Sequence, residues 1–260
     1  MVITGISKGL GRALTEEFAT RDGYVVAGCA RTSPGDLEKK LGRRLSFECV
    51  DVISDAAVGE WADRVINQHG PPTFLINNAG VLNQEGSRNP SERVWTIPEE
   101  DFSTVVATNL GGTLHTIRHF VPQMIRSGRG LIVNFVTRWA EDSFEYPAEG
   151  ASMGAYAASK HGVRGLTRAL QVGLELELIR SDFEGRADFW GIRAITFDPS
   201  TVDTGMYRGA LLPQKPKFQS RKQWAEKAVH FFIEQCKPYS ESERGGILEK
   251  YKRPLSNDQE

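Results

Sequence analysis

Cysteine is scarce. Cys29, Cys49 and Cys236 are the only three in 260 residues, an odd number with no Cys-x-x-Cys pair, so neither a disulfide framework nor a zinc site is suggested. Long apolar runs are missing too. No stretch approaches the roughly 20 residues that span a bilayer, so no membrane partner is expected. Excess charge of one sign is also absent: 32 Lys and Arg against 33 Asp and Glu leave a formal charge of −1. A pI near 6.6 gives no broad positive field to hold nucleic acid or an anionic surface. No Pro/Ser-rich linker, internal repeat or low-complexity tract divides the chain. No basic-then-apolar leader precedes its first strand-like run, so a cytoplasmic location is expected. What remains is a chain with 40% hydrophobic residues and 26 glycines, enough to bury a sizeable core.

Hydrophobic patterning alternates between short apolar runs and helical periods. Met1–Thr4, Tyr24–Ala30, Leu45–Val50, Phe74–Asn77, Leu131–Val136 and Ile192–Phe197 read as strands. Between them, helices are expected over Leu10–Thr20, Ala56–His69, Glu99–Ser127, Met153–Ile179 and Lys222–Gln235. Six strands separated by helices predict an α/β fold. The expected architecture is one doubly wound parallel sheet with helices on both faces, a single domain over residues 1–260. Three segments break the rhythm. Arg180–Trp190 is charged and reads as a surface insertion, residues 205–225 as a lid, and residues 237–260 as a polar, fraying tail.

Three motifs carry chemistry. Thr4-Gly5-Ile6-Ser7-Lys8-Gly9-Leu10-Gly11 joins the first strand to the first helix. Its glycines let the backbone turn sharply and approach a diphosphate, which then sits on the helix's positive end. Asn77-Asn78-Ala79-Gly80 follows the fourth strand, where small residues let a ligand lie against the carboxyl edge of a doubly wound sheet. Tyr156-Ala-Ala-Ser-Lys160 puts a phenol and an ammonium on one helix face. A nearby cation is expected to lower the Tyr156 pKa toward neutrality, which suits an acid or base. The last motif alone is weak, since a chain of this composition contains about 0.25 such pairs by chance. His115 and His119 are also one turn apart, but no Glu follows His115, so no metal site is expected.

Taken together and in this order, over residues 1 to 206, the motifs resemble the short-chain dehydrogenase/reductase family and its Rossmann-like sheet. The resemblance implies that Gly5, Ser7, Gly9, Leu10 and Gly11 hold a cofactor diphosphate, with Asn78, Ala79 and Gly80 on the adenine-ribose side. It implies that Asp51 and Val52 contact the adenine, and that Val202 and Thr204 hold the nicotinamide carboxamide. Tyr156 would be the proton donor, Lys160 would bind the ribose and tune that Tyr, and Asn109 would complete a proton relay.

The sequence departs from the family pattern in places. The family's catalytic Ser after the fifth strand is Thr137 here, with Ser143 as rival; Thr137 is favoured because it sits at the strand's end. The usual Pro-Gly after the sixth strand is Pro199-Ser200. The acidic residue that NAD-specific members carry at the end of the second strand is Ala30, followed by Arg31, and Lys8 precedes the second glycine of the phosphate turn. Two cations without a carboxylate favour NADP(H). The expected activity is hydride transfer between NADP(H) and a carbonyl or secondary alcohol. The partner would be an apolar small molecule held near Trp139, Phe144, Tyr146, Tyr207, Leu211, Leu212 and Phe218, and a homo-oligomer is possible. The alternatives are a non-catalytic NADP-binding sensor or scaffold on the same fold, and an NAD-dependent alcohol dehydrogenase.

Overall fold

Both faces of the central strands are apolar, and the computed structural model shows why. It describes residues 1–82, 92–140, 152–186, 189–200, 202 and 219–252. Strands β1 (Val2–Thr4), β2 (Val26–Ala30), β3 (Leu45–Cys49), β4 (Phe74–Asn77), β5 (Arg129–Phe135) and β6 (Gly191–Phe197) form one parallel sheet in the order β3-β2-β1-β4-β5-β6. Helices α1 (Gly9–Ala19), α2 (Leu37–Leu41), α3 (Asp55–His69), α4 (Glu99–Val106), α5 (Gly112–Ser127), α6 (Gly154–Phe183), α7 (Arg221–Gln235) and α8 (Glu241–Lys252) complete the described chain, together with short 3-10 turns.

Alternate strand residues divide between two cores, as the period of two requires. Val2, Leu75 and Ile132 pack with Trp61 of α3, Phe120 of α5 and Leu174 of α6. Ile3, Ile76 and Val133 point the other way and pack with Leu14 and Phe18 of α1 and with Trp224 and Phe232 of α7. Burial on both sides makes these central strands read as near-continuous apolar runs.

A chain of polar side chains crosses this core beneath the sheet's carboxyl edge. The Thr116 hydroxyl donates to Asn77 (2.6 Å), Asn77 Nδ2 to Asn134 Oδ1 (2.8 Å), and Asn134 Nδ2 to Thr167 Oγ1 (2.8 Å). The Thr167 hydroxyl in turn donates to the Val163 carbonyl at 2.7 Å. Each buried group therefore has a partner, and the chain fixes α5, β4, β5 and α6 relative to one another.

Four expectations need correction. The helix expected over Glu99–Ser127 is interrupted by a π-helical turn at Ala107–Gly111. The stretch expected to be a surface insertion begins as helix, since α6 runs on to Phe183, and Phe189 is fully buried against Leu178 and Tyr239. Arg180 supports that extension by pairing with Glu177 and Glu184, one turn to each side. The expected fraying tail contains α8, and the last residues of the expected lid, 221–225, open α7. The rest of that lid, residues 205–218, lies outside the described residues.

Candidate active site

In this strand order the chain leaves β1 in one direction and β4 in the other, which opens a crevice at their carboxyl ends. A cleft of ≈ 460 Å³ occupies it. Its floor is the glycine turn. Gly5 and Gly9 have φ of +76° and +63°, the left-handed region that other residues enter at a cost. Gly11 is required for a different reason. A Cβ there would overlap the Gly5 carbonyl oxygen and lie 2.5 Å from Asn78 Nδ2. Lys8 caps α1 in an extended conformation and makes no side-chain cap bond, so the first N–H groups of α1 have no side-chain partner there.

Thr4 and Asn78 join this turn to the loop after β4. The Thr4 hydroxyl accepts from the backbone N–H groups of Asn78 (3.1 Å) and Ala79 (3.0 Å). Asn78 Nδ2 donates to the Thr4 carbonyl at 2.9 Å. Asn78 thus lines the cleft while its amide is spent on the turn.

Of the residues singled out from sequence, Gly5, Ser7, Lys8, Gly9, Leu10, Arg31, Asp51, Val52, Asn78, Ala79, Gly80, Tyr156 and Lys160 share this one cleft. Lys8 and Arg31 are exposed. The nearby Asp36 is already paired with Arg12 at 2.6 Å. Ala30 and the buried Cys29 form the wall behind Arg31, and burial pushes the Cys29 thiol up to about 12, so it stays neutral.

Asn109 is fully buried in the π turn. Its Oδ1 accepts from the Val81 N–H (2.8 Å), and its Nδ2 donates to the Val81 carbonyl and to Ser159 Oγ, both at 2.9 Å. Lys160 is buried as well and donates to the Phe135 carbonyl at 2.8 Å. Burial lowers its pKa to about 8. Its Nζ lies 5.7 Å from the Tyr156 ring centroid. The expected lowering of the Tyr156 pKa is not what this geometry gives. Burial, reinforced by the negative charge of Asp198, pushes the phenol above its ordinary value of 10. At neutral pH the phenol therefore keeps its proton, so it is a group that can donate a proton rather than accept one.

Other assignments fall elsewhere. Thr137 follows β5 by two residues and opens a 3-10 turn, its carbonyl accepting from the Ala140 N–H. Val202 is buried in the core beside α7 and bridges Gln219. Ser143, Thr204 and the aromatic and apolar residues proposed for the pocket lie outside the described residues or their described side chains. Among the described residues no three His, Cys, Asp or Glu cluster as metal ligands, and no helix is long and apolar enough to cross a membrane. The ring of His115 bonds the Val52 carbonyl and that of His119 bonds Asp55.

Sequence reasoning missed Ser159, Thr32 and Arg221. Ser159 donates to the Tyr156 carbonyl and accepts from Asn109, so it links the two motifs. Its place between Tyr156 and Lys160 was the available signal. Thr32 and Arg221 line the cleft without belonging to any motif.

A family model described as short chain dehydrogenase matches residues 1–211. This chain belongs to that family. Short-chain dehydrogenases are oxidoreductases that bind a nicotinamide cofactor, and the cleft fits one. Its turn leaves no room for a side chain at Gly11, the open end of α1 offers N–H groups, and Lys8 and Arg31, which have no ion-pair partner among the described residues, line it. The chain is 31% identical over 237 residues to the NADPH-dependent pterin aldehyde reductase of Arabidopsis thaliana, covering 90% of this chain and 87% of that one. It is 29% identical over 217 residues to 1-deoxy-11-beta-hydroxypentalenate dehydrogenase of Streptomyces avermitilis, covering 82% and 72%. Among solved structures, the alcohol dehydrogenase of Thermococcus sibiricus complexed with 5-hydroxy-NADP aligns over 90% of this chain and 89% of that chain, with a TM-score of 0.67 at 26% identity.

Proposed function

We propose that the protein is an NADP(H)-dependent reductase that acts on the carbonyl group of a small molecule, or on the corresponding secondary alcohol in reverse. The observation that carries the cofactor choice is the end of β2. Ala30, Arg31 and Thr32 line the cleft there with no carboxylate at the strand end, and Lys8 stands on the same cleft. A 2′-phosphate gains two cations at that position, and a bare ribose lacks its usual acceptor. The NADPH-dependent relative and the NADP-type ligand of the aligned alcohol dehydrogenase support the same reading.

The glycine turn and the first N–H groups of α1 hold the diphosphate. Asp51, Val52, Ala79 and Gly80 form the adenine side, and Val202 and Thr204 belong to the nicotinamide side. When bound, the cofactor supplies the hydride. Tyr156 passes its phenolic proton to the carbonyl oxygen, and the Lys160 ammonium stabilises the phenolate that remains. Thr137 donates a hydrogen bond to the same substrate oxygen. Asn109 and Ser159 act as positioning residues, since they hold the loop after β4 and the Tyr156 turn in register.

Dissociation constants for NADPH and NADH, followed by turnover on a panel of carbonyl compounds that includes a pterin aldehyde, test this reading. NADPH binds more tightly, and Arg31→Ala removes most of the difference. Tyr156→Phe abolishes turnover while NADPH binding survives. Thr137→Val lowers turnover by about 10²–10³, the usual cost of one such donor, whereas Thr137→Ser retains it and Ser143→Ala changes it little. Equal affinities in the parent protein sink the NADP assignment, and an active Tyr156→Phe sinks the proton donor.

A further inference from the structure

Arg221 lies on the cleft wall, yet neither the motifs nor the reading above gives it a role. Three contacts fix the segment that carries it. Ser220 caps α7 by accepting from the Gln223 N–H, the Trp224 indole donates to the Pro199 carbonyl at 3.1 Å, and Gln219 bridges Val202. The backbone of Arg221 is therefore held at the carboxyl end of β6. Its guanidinium has no ion-pair partner among the described residues. A planar cation with five donors, unpaired on a cleft wall, suits a phosphate better than a carbonyl or an apolar substrate.

Position decides which phosphate. Arg31 follows β2, and Pro199 follows β6 on the opposite flank of the sheet. Four strand spacings separate them, roughly 19 Å at about 4.8 Å each. The glycine turn after β1 lies between the two, and α7 packs on the same face as α1. The 2′-phosphate end is thus out of Arg221's reach, whereas the middle of the cleft is not. We propose that Arg221 pairs with the diphosphate of the bound dinucleotide, at the phosphate nearer the nicotinamide, from the β6 flank of the cleft. The inference rests on the dinucleotide reading of the cleft but is indifferent to the choice between NADP and NAD.

Binding of three probes tests it: NADPH, NADH and adenosine 2′,5′-bisphosphate, which has no phosphate on the nicotinamide side. Each is titrated against the full chain and against Arg221→Ala, Arg221→Lys and Arg31→Ala. Loss of one charge-assisted hydrogen bond predicts that Arg221→Ala weakens NADPH and NADH alike, by about ten-fold or more, and leaves the bisphosphate within about two-fold. Arg221→Lys recovers part of the loss for both dinucleotides. Arg31→Ala gives the converse pattern, weakening NADPH and the bisphosphate far more than NADH. An unchanged melting temperature of the apo variants separates these effects from misfolding. Dinucleotide affinities within two-fold of the parent in Arg221→Ala overturn the inference, as does a loss confined to NADPH, or a raised substrate KM with unchanged dinucleotide binding. A parent protein that binds NADH as tightly as NADPH overturns the NADP assignment alone.

Discussion

Ser200 has φ of +58°, the only positive value outside glycine among the described residues. Its N–H donates to Asp198 Oδ1 at 2.8 Å, which closes a tight turn directly after β6 and holds the backbone there. The turn demands a left-handed residue where this chain has Ser instead of the family's usual Gly, at a cost of roughly 1–2 kcal/mol for the side chain. Ser200→Gly relieves that cost but adds backbone entropy to the unfolded chain, so a net gain of about 0.5–1 kcal/mol is expected in denaturant unfolding. A loss of stability would show that the Ser side chain itself holds the turn. Lys160 gives a second expectation at this scale. Its pKa is lowered to about 8, so the ammonium is present below that pH and lost as the pH rises through it. The Tyr156 phenol, raised by burial, remains protonated throughout. Reductive kcat should therefore hold steady from pH 6 to 7.5 and fall above about 8, because the phenolate left after proton transfer loses its neighbouring cation. A profile flat to pH 9.5 would remove Lys160 from that role.

Glycines at two points separate what an element needs from what it tolerates. At Gly11 in α1, an added Cβ meets the Gly5 carbonyl and the Asn78 amide, groups already tied to β1 and to the loop after β4. At Gly173 in α6, it meets nothing within 4 Å. Gly11→Ala is thus expected to destabilise the fold by at least about 1–3 kcal/mol through overpacking and to abolish dinucleotide binding. Gly173→Ala should stabilise it by up to about 1 kcal/mol through helix propensity. Chemical denaturation of both variants checks the contrast, and equal effects would mean that the turn can shift. Gly11 was legible in the sequence because turn, strand and helix patterns coincide there, and the central strands were legible because burial on both faces makes them apolar. The π turn at Ala107–Gly111 was not, since what holds its Asn109 are bonds to Val81 and Ser159, far away in sequence. Arg221 was illegible for the same reason: only the packing of α7 beside Pro199 brings it to the cleft. Nor is α8 plain in the sequence, because its apolar side is short: Ile247 packs on the Leu178, Phe189 and Tyr239 cluster, and polar contacts from Arg244, Lys250 and Tyr251 supply the other attachments.

A parallel sheet gives the molecule two unlike ends, and the chain uses them for different purposes. The carboxyl end carries the cleft. At the amino end of β6, Tyr239 packs against Gly191, whose φ of +99° and missing side chain make room for the ring. Arg193 stacks on that ring with its guanidinium carbon 3.7 Å from the centroid and pairs with Glu243 of α8. Arg244 makes the most direct fastening, with Nη1 2.6 Å from Asp182 at the end of α6 and Nη2 donating to the Phe189 carbonyl at 2.6 Å. Lys250 and Tyr251 both reach Glu175 further along α6. Removing Arg244 leaves the Phe189 carbonyl and the Asp182 carboxylate without this donor. Because both side chains of the pair keep partial access to water, at 25% and 31%, the cost is held to about 1–2 kcal/mol. In a chain of this size that corresponds to a melting temperature lower by roughly 2–8 °C. The cleft lies at the other end of the strands and shares no residue with this fastening. Arg244→Ala is therefore expected to lower the melting temperature while kcat/KM and the NADPH dissociation constant stay at parental values. Asp182→Ala should lower the melting temperature similarly, and the double variant should fall short of the sum, as coupled partners do. An unchanged melting temperature would mean that α8 is only loosely attached, and a fall in kcat/KM matching the loss of stability would mean that the two ends of the sheet are not independent.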